Sequence, residues 1–276
     1  MSTSLPRILV LTLFCGEAEY ERCKLSVSQQ EGVSTEHVCF EWLPNLEAHE
    51  ALYRTILSRA GEFDAFLKLD ADMVLVHERA LLEAWQIFVD VPDTDHLSIP
   101  VYDHPSGSYL MGFHLFSPRV SWSFPLDPLF PDSNPNVPGF ERIDFGIQRR
   151  LIDHMPSPSK EQAFALGVHR ASKIVQPGRG KNRRPADFPL SYLKRVARNR
   201  TFDPELRHLI LSGMFQTLLA LQADRRYKGE DRKIEAAPLA RLLASGFARP
   251  PLTDIVFQFL RLRYVHWRRL SRLEQP

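Results

Sequence analysis

Only three cysteines, Cys15, Cys23 and Cys39, occur in the 276 residues of the chain. Their count is odd and no two form a C-x-x-C pair, which argues against a disulfide framework or a zinc ribbon and fits a reducing cytoplasm. No segment reaches the roughly 18 apolar residues that a membrane span needs. Ile8 to Cys15 is a short apolar run behind Arg7. No small-residue cleavage site follows it, so it reads as a first β-strand and not as a signal-peptide core. Internal repeats and low-complexity tracts are lacking. With 44% hydrophobic and 25% charged residues, the composition is that of a globular protein large enough for one α/β core, or a core with an appendage.

The net charge of +2 hides an asymmetry. Residues 1–169 carry 12 Lys and Arg against 24 Asp and Glu, whereas residues 170–276 carry 23 against 9. Such a split predicts an anionic partner for the C-terminal part, or docking of one part on the other. Nucleic acid is not the expected partner, because no recognisable module accompanies the charge.

Apolar spacing predicts strands over Arg7–Phe14, His37–Trp42 and Phe63–Leu69, with helices over Glu17–Gln30, Glu47–Ala60 and Glu78–Val89. This alternation implies an α/β fold with a doubly wound, mostly parallel sheet. Ligands of such sheets sit beyond the C-terminal strand ends. Short strands are expected over His96–Tyr102 and Tyr109–Phe116, and a helix over Glu141–His154. Ala165–His169 reads as a further strand or turn. Three helices are expected near Leu190–Asn199, Pro204–Arg226 and Pro251–Leu273.

Within this pattern, Asp70-Ala71-Asp72 follows one apolar run and precedes another. Residues i and i+2 of an extended chain project to the same side, so both carboxylates are expected to leave the strand end together. Close carboxylates repel unless a cation or a shared proton lies between them. Oxygen ligands suit Mg2+ or Mn2+, which commonly complete their shell with phosphate oxygens.

Lys68-Leu69-Asp70-Ala71-Asp72, the strand ending Leu13-Phe14-Cys15-Gly16-Glu17, Met111-Gly112-Phe113-His114, Gly139-Phe140-Glu141-Arg142-Ile143-Asp144 and Leu166-Gly167-Val168-His169 follow one another in an order that resembles the GT-A glycosyltransferases, most closely the non-processive, family-2-like group. The resemblance covers about residues 6–181. It implies a catalytic domain over 1–185 that binds a nucleotide sugar, and a basic helical region over 186–276. Asp72 would be the first metal ligand, Asp70 would meet the ribose or a metal-bound water, and His169 would complete the shell of Mn2+ or Mg2+. Leu13, Phe14, Glu17, Glu41, Lys68, Asp70 and Ala71 would line the nucleotide. Gly112, His114 and Glu141 would line the sugar and acceptor pocket, with Arg119 near it. Lys173, Arg179 and Lys181 would close over the diphosphate. Asp144 would be the catalytic base, with Glu141 and Asp153 as alternatives.

The chain departs from the family at Phe40-Glu41-Trp42-Leu43-Pro44-Asn45, which replaces an acidic Gly/Ser turn. Near Asp144, Ile143 and Gly146 stand where acids are usual, and no Gln-x-x-Arg-Trp motif follows. The implied function is single-sugar transfer from a nucleoside-diphosphate sugar, UDP-linked by preference, to a hydroxyl of a glycan or lipid-linked glycan. Two alternatives stay open. Asp70 to Val74 also loosely fits a haloacid-dehalogenase-type phosphohydrolase, which carries its motif on the first strand. A non-catalytic nucleotide-binding or scaffold domain of the same fold is the other. The aromatic and Arg residues of Ile255–Leu273 fit contact with an anionic membrane surface, which together with the cysteine usage places the protein in the cytoplasm, peripheral on the inner face of the membrane.

Overall fold

The computed structural model describes residues 4–91, 93–122, 124, 135–136, 140–141, 149–175 and 187–220. The chain divides into two compact units, Met1–Pro158 and Ser159–Pro276. The division falls 27 residues before the domain boundary expected after residue 185.

The first unit is an α/β layer structure. Its elements are β1 (Arg7–Phe14), α1 (Tyr20–Ser28), β2 (Ser34–Glu41), α2 (Asn45–Ser58), β3 (Ala65–Lys68), β4 (Met73–Leu75), α3 (Ala80–Asp90), β5 (His96–Asp103), β6 (Ser108–Phe116), β7 (Ser121–Trp122), β8 (Pro135–Asn136), β9 (Phe140–Glu141) and β10 (Ile152–His154). Seven strands run in the order β2-β1-β3-β6-β5-β10-β4, and β9 pairs with β5. The sheet is mixed. β1 is parallel to β2 and β3, whereas β6 is antiparallel to both of its neighbours. A four-residue turn joins β5 to β6, which permits only an antiparallel pair.

Strand alternation sorts the core. Leu9 and Leu11 of β1 and Phe66 of β3 pack with Leu52, Tyr53 and Ile56 of α2, and with Phe63 and Phe116. On the other face of β1, Phe14 stacks on Tyr20 of α1. There Thr12 is fully buried, and its hydroxyl bonds to His37 Nε2 at 2.8 Å. β1, β2 and β3 all point their C-terminal ends to one sheet edge.

Two expectations are corrected. The segment expected as a helix over Glu141–His154 begins in β9 and ends in β10, a three-residue strand parallel to β5 and antiparallel to β4. Pairing on both sides outweighs its helical spacing, since Ile152 is buried in the sheet. Ala165–His169 lies inside a helix of the second unit, α4 (Lys160–Val175), which accompanies α5 (Asp187–Arg198) and α6 (Pro204–Ala220). Gly167 stands inside this helix because the packing requires a glycine there. A Cβ there would overlap the carbonyl oxygen of Ile210, and one at Gly213 would overlap that of Phe164. α4 and α6 therefore cross backbone against backbone. Leu190, Tyr192, Leu193 and Val196 form the buried side of α5, and the Arg170 guanidinium lies 4.5 Å from the Tyr192 ring centroid. Among the described residues no helix is long and apolar enough to cross a membrane. The helix expected over Pro251–Leu273 lies outside the described residues.

Candidate active site

Asp70-Ala71-Asp72 occupies the tight connection between β3 and β4. The amide of Met73 donates to the carbonyl of Asp70 at 2.9 Å, which closes a β-turn. The carboxylates are thus presented from a turn and not from an extended strand end, and they take different neighbours. Asp70 Oδ1 stands 3.3 Å from Lys68 Nζ. Asp72 Oδ2 stands 3.4 Å from His154 Nε2. Lys68 is buried. A buried ammonium needs a counter-charge, and here Asp70 supplies it, so Lys68 positions Asp70. Ala71 is 1% exposed, which anchors the turn between its two acids. The main chain of Asp72 is fixed as well, because its carbonyl accepts the amide of Met155 at 2.8 Å.

His154 is the residue that sequence reading missed. Its Nδ1 lies 2.6 Å from Asp103 Oδ1, and Asp103 is fully buried while also accepting the Ser106 amide at 2.7 Å. Burial alone would lower the pKa of His154, but the charge of Asp72 and the bond to Asp103 dominate and raise it to about 10. Burial would likewise raise the pKa of Asp103, yet the bond from His154 and its charge hold it below the usual carboxylate range. The arrangement is a carboxylate–imidazole–carboxylate row running from the buried end of β5, through β10, to the motif turn. Parallel pairing of His154 with Asp103 and antiparallel pairing of His154 with Met73 create it. The signal in the sequence was a lone His beside two prolines, with nothing to mark its strand partners.

The neighbouring face of the β4–β10 ribbon holds a second charged group. Arg150 pairs with both oxygens of Asp153 and lies 4.3 Å from the Tyr102 ring centroid. His104 Nε2 stands 3.2 Å from Asp153. Burial would raise the pKa of Asp153, but its bonds to His104 and to the Arg150 guanidinium lower it on balance. A general base needs the reverse shift, so this fallback for the base is not supported.

At the other strand ends, Phe14 stacks on Tyr20 with centroids 4.0 Å apart, and Trp42 meets Phe14 edge-on at 5.1 Å. Glu17 accepts the Cys15 amide at 2.7 Å, and Glu41 accepts the Tyr20 hydroxyl at 2.7 Å. Both acids expected at the nucleotide thus also brace the loop that would hold it. Leu13 sits at the half-buried end of β1. Cys23 packs beneath the motif, and burial pushes its thiol up to about 12, which leaves it unreactive.

The remaining candidates separate. Gly112 faces Val101 and Met73, and a Cβ there would lie 3.2 Å from Met73 Cε; its smallness lets the strand after Asp72 settle on the sheet. His114 stands opposite Lys68 in the β3–β6 register, and its Nδ1 lies 2.9 Å from His96 Nε2. Arg119 donates to Asp95 at 2.7 Å. Glu141 lies in β9. His169 and Lys173 lie on α4 in the second unit. Asp144, Arg179 and Lys181 lie outside the described residues.

Two imidazoles, the buried His96 and the half-buried His37, make stability depend on pH. Burial, with the charge of Lys24, lowers His37 to about 4. Burial, with His114 beside it, lowers His96 to about 3. Each group stays neutral in the fold while its unfolded counterpart, with a pKa near 6.5, takes up a proton. Their contribution is present above pH 6.5 and is lost as pH falls toward 4 or 3. Between pH 7 and 5 the loss is about 2 kcal/mol for His96 and less for His37, whose charged form water partly screens, and the raised pKa of His154 offsets about 1 kcal/mol of the sum. The midpoint of urea unfolding should therefore fall over that interval; an unchanged midpoint would contradict these assignments.

Comparison with protein-family models finds no match, and comparison with curated protein sequences finds none. Among solved structures, the chain is similar to a mannosyltransferase from Pyrobaculum calidifontis, PcManGT, in complex with GDP-Man and Mn2+. The two share 13% identity over 95% of this chain and 87% of that one, with a TM-score of 0.42. It is also similar to a glycosyltransferase involved in the glycosylation of the major capsid of PBCV-1, at 13% identity over 55% of this chain and 96% of that one, with a TM-score of 0.37. Likeness at this level assigns no residue a role.

Proposed function

We propose that the chain is a metal-dependent glycosyltransferase of the GT-A type. It moves one sugar from a nucleoside-diphosphate sugar, UDP-linked by preference, to a hydroxyl of a glycan or lipid-linked glycan. The observation that carries the reading is the row Asp103–His154–Asp72, set where the motif turn leaves the parallel strands. A histidine whose Nδ1 is bound by a carboxylate offers Nε2 outward, which is the usual arrangement behind a metal-ligating imidazole. The donors fit a divalent ion, which would displace the proton that His154 Nε2 turns toward Asp72, since only a neutral imidazole ligates a metal. Adjacent ligands of an octahedral ion stand about 3 Å apart, and Asp72 Oδ2 and His154 Nε2 are 3.4 Å apart. One oxygen and one nitrogen favour Mn2+ over Mg2+.

In this reading the nitrogen ligand is His154, in place of the expected His169. Among the described residues no group of three or more His, Cys, Asp or Glu is gathered for a metal, so diphosphate oxygens and water would fill the rest of the shell. A bound ion would supply positive charge against the charge that develops on a departing diphosphate. Asp103 holds the imidazole in one orientation, and Lys68 holds Asp70 beside the ribose. The phosphohydrolase alternative loses its footing, because the motif follows the third strand, with two strand–helix units before it.

Asp144 is the base of this proposal, and a single base implies inversion at the anomeric carbon. Asp144→Asn should abolish transfer, followed by chromatography of labelled acceptor, while nucleotide-sugar binding stays at the wild-type level. Substantial residual turnover would remove Asp144 from the role.

A further inference from the structure

Trp42 is the most exposed large apolar side chain among the described residues, at 68%, and its φ is +59°. A bulky residue rarely enters the left-handed region, and when it does the surroundings must hold it there. Here they do. Its amide donates to the carbonyl of Phe14 at 2.9 Å, which extends the β1–β2 ladder by one bond. Its ring edge meets Phe14, and Phe14 is fixed by its stack on Tyr20. Gly16 clears the space above, since a Cβ there would lie 3.3 Å from Trp42 Cη2, and its own φ of +108° suits glycine. The chain thus holds an indole in an unfavourable backbone conformation in order to leave most of it in water.

Position supplies the reason. Trp42 follows the C-terminal end of β2, and Asp70 follows that of β3, with β1 between them and all three strands parallel. Two inter-strand spacings, about 9–10 Å, separate these ends, a distance that a ribose and a diphosphate bridge. We infer that Trp42 is the platform on which the base of the donor nucleotide stacks. The inference rests on the proposed function and adds the residue that grips the base. It also explains the departure from an acidic Gly/Ser turn: recognition at this end rests on stacking, and Glu41 serves the loop through Tyr20. Stacking tolerates any base, so selectivity among nucleobases must come from the loop edges around the indole.

The test is calorimetric titration of UDP and GDP, each with Mn2+, and of inorganic pyrophosphate with Mn2+. Wild type is compared with Trp42→Phe, Trp42→Ala and Trp42→Asn; asparagine tolerates the left-handed region and guards against a folding artefact. Trp42→Ala and Trp42→Asn should weaken nucleoside diphosphate at least tenfold, as loss of one stacked base would. Trp42→Phe should retain most of the affinity, and pyrophosphate should bind all four proteins alike. Nucleotide affinity unchanged in Trp42→Ala would overturn the inference and leave the proposed function standing, as would an equal loss of pyrophosphate. A wild type that binds neither nucleotide would overturn both.

Discussion

Asp72→Asn is expected to lower sugar transfer about 1,000-fold without unfolding the protein. The substitution keeps the shape of a side chain that is only 21% exposed, and it leaves the backbone anchors of the turn untouched. It removes the charge that a divalent ion needs. A metal's stabilisation of a departing phosphate amounts to several kcal/mol, and about 4 kcal/mol corresponds to the stated factor. Asp70→Asn should cost less, because Asp70 is engaged with Lys68 and would reach the metal only through water. Steady-state transfer, or donor hydrolysis without acceptor, measures both. Activity of Asp72→Asn within tenfold of wild type would contradict its assignment.

Gly167→Ala is expected to give the largest loss of stability of any glycine-to-alanine change among the described residues. The new Cβ would overlap the carbonyl oxygen of Ile210, which is backbone of α6 and cannot rotate away. Overpacking costs about 1–3 kcal/mol where side chains can adjust, and the upper end applies where they cannot. At about 3 kcal/mol, Tm falls by roughly 6–12 °C for a protein of this size. Gly61→Ala is the control, since nothing lies within 4 Å of its new Cβ; it should leave Tm unchanged or slightly raised. Equal Tm for Gly167→Ala and wild type would mean that α4 and α6 do not cross as described.

Apart from β4, which was not expected, the strands and helices as far as Asp90 were legible because apolar spacing there is set by burial on a sheet or by one helix face. β1 runs over the expected residues, and α2 and α3 begin and end within two residues of expectation. β10 was not legible. Three residues carry no period, and only pairing with β4 and β5 makes Ile152–His154 a strand. That pairing also brings His154 to Asp72 across 82 positions of sequence, a contact that no local spacing announces. Asp72 itself was legible as a chemical type, an acid after a buried run, but its partner was a property of the sheet. Trp42 was visible only as a departure from a family pattern; its exposure and left-handed backbone are properties of the fold.

Donor-induced thermal stabilisation, measured with a panel of nucleotide sugars with and without Mn2+, decides whether Asp72 and His154 hold a metal for the donor diphosphate. The expected result is a rise in Tm that requires Mn2+, is confined to donors of one nucleobase, disappears in His154→Ala and persists in His169→Ala. A rise that needs no metal, or one that His154→Ala keeps in full, would contradict it.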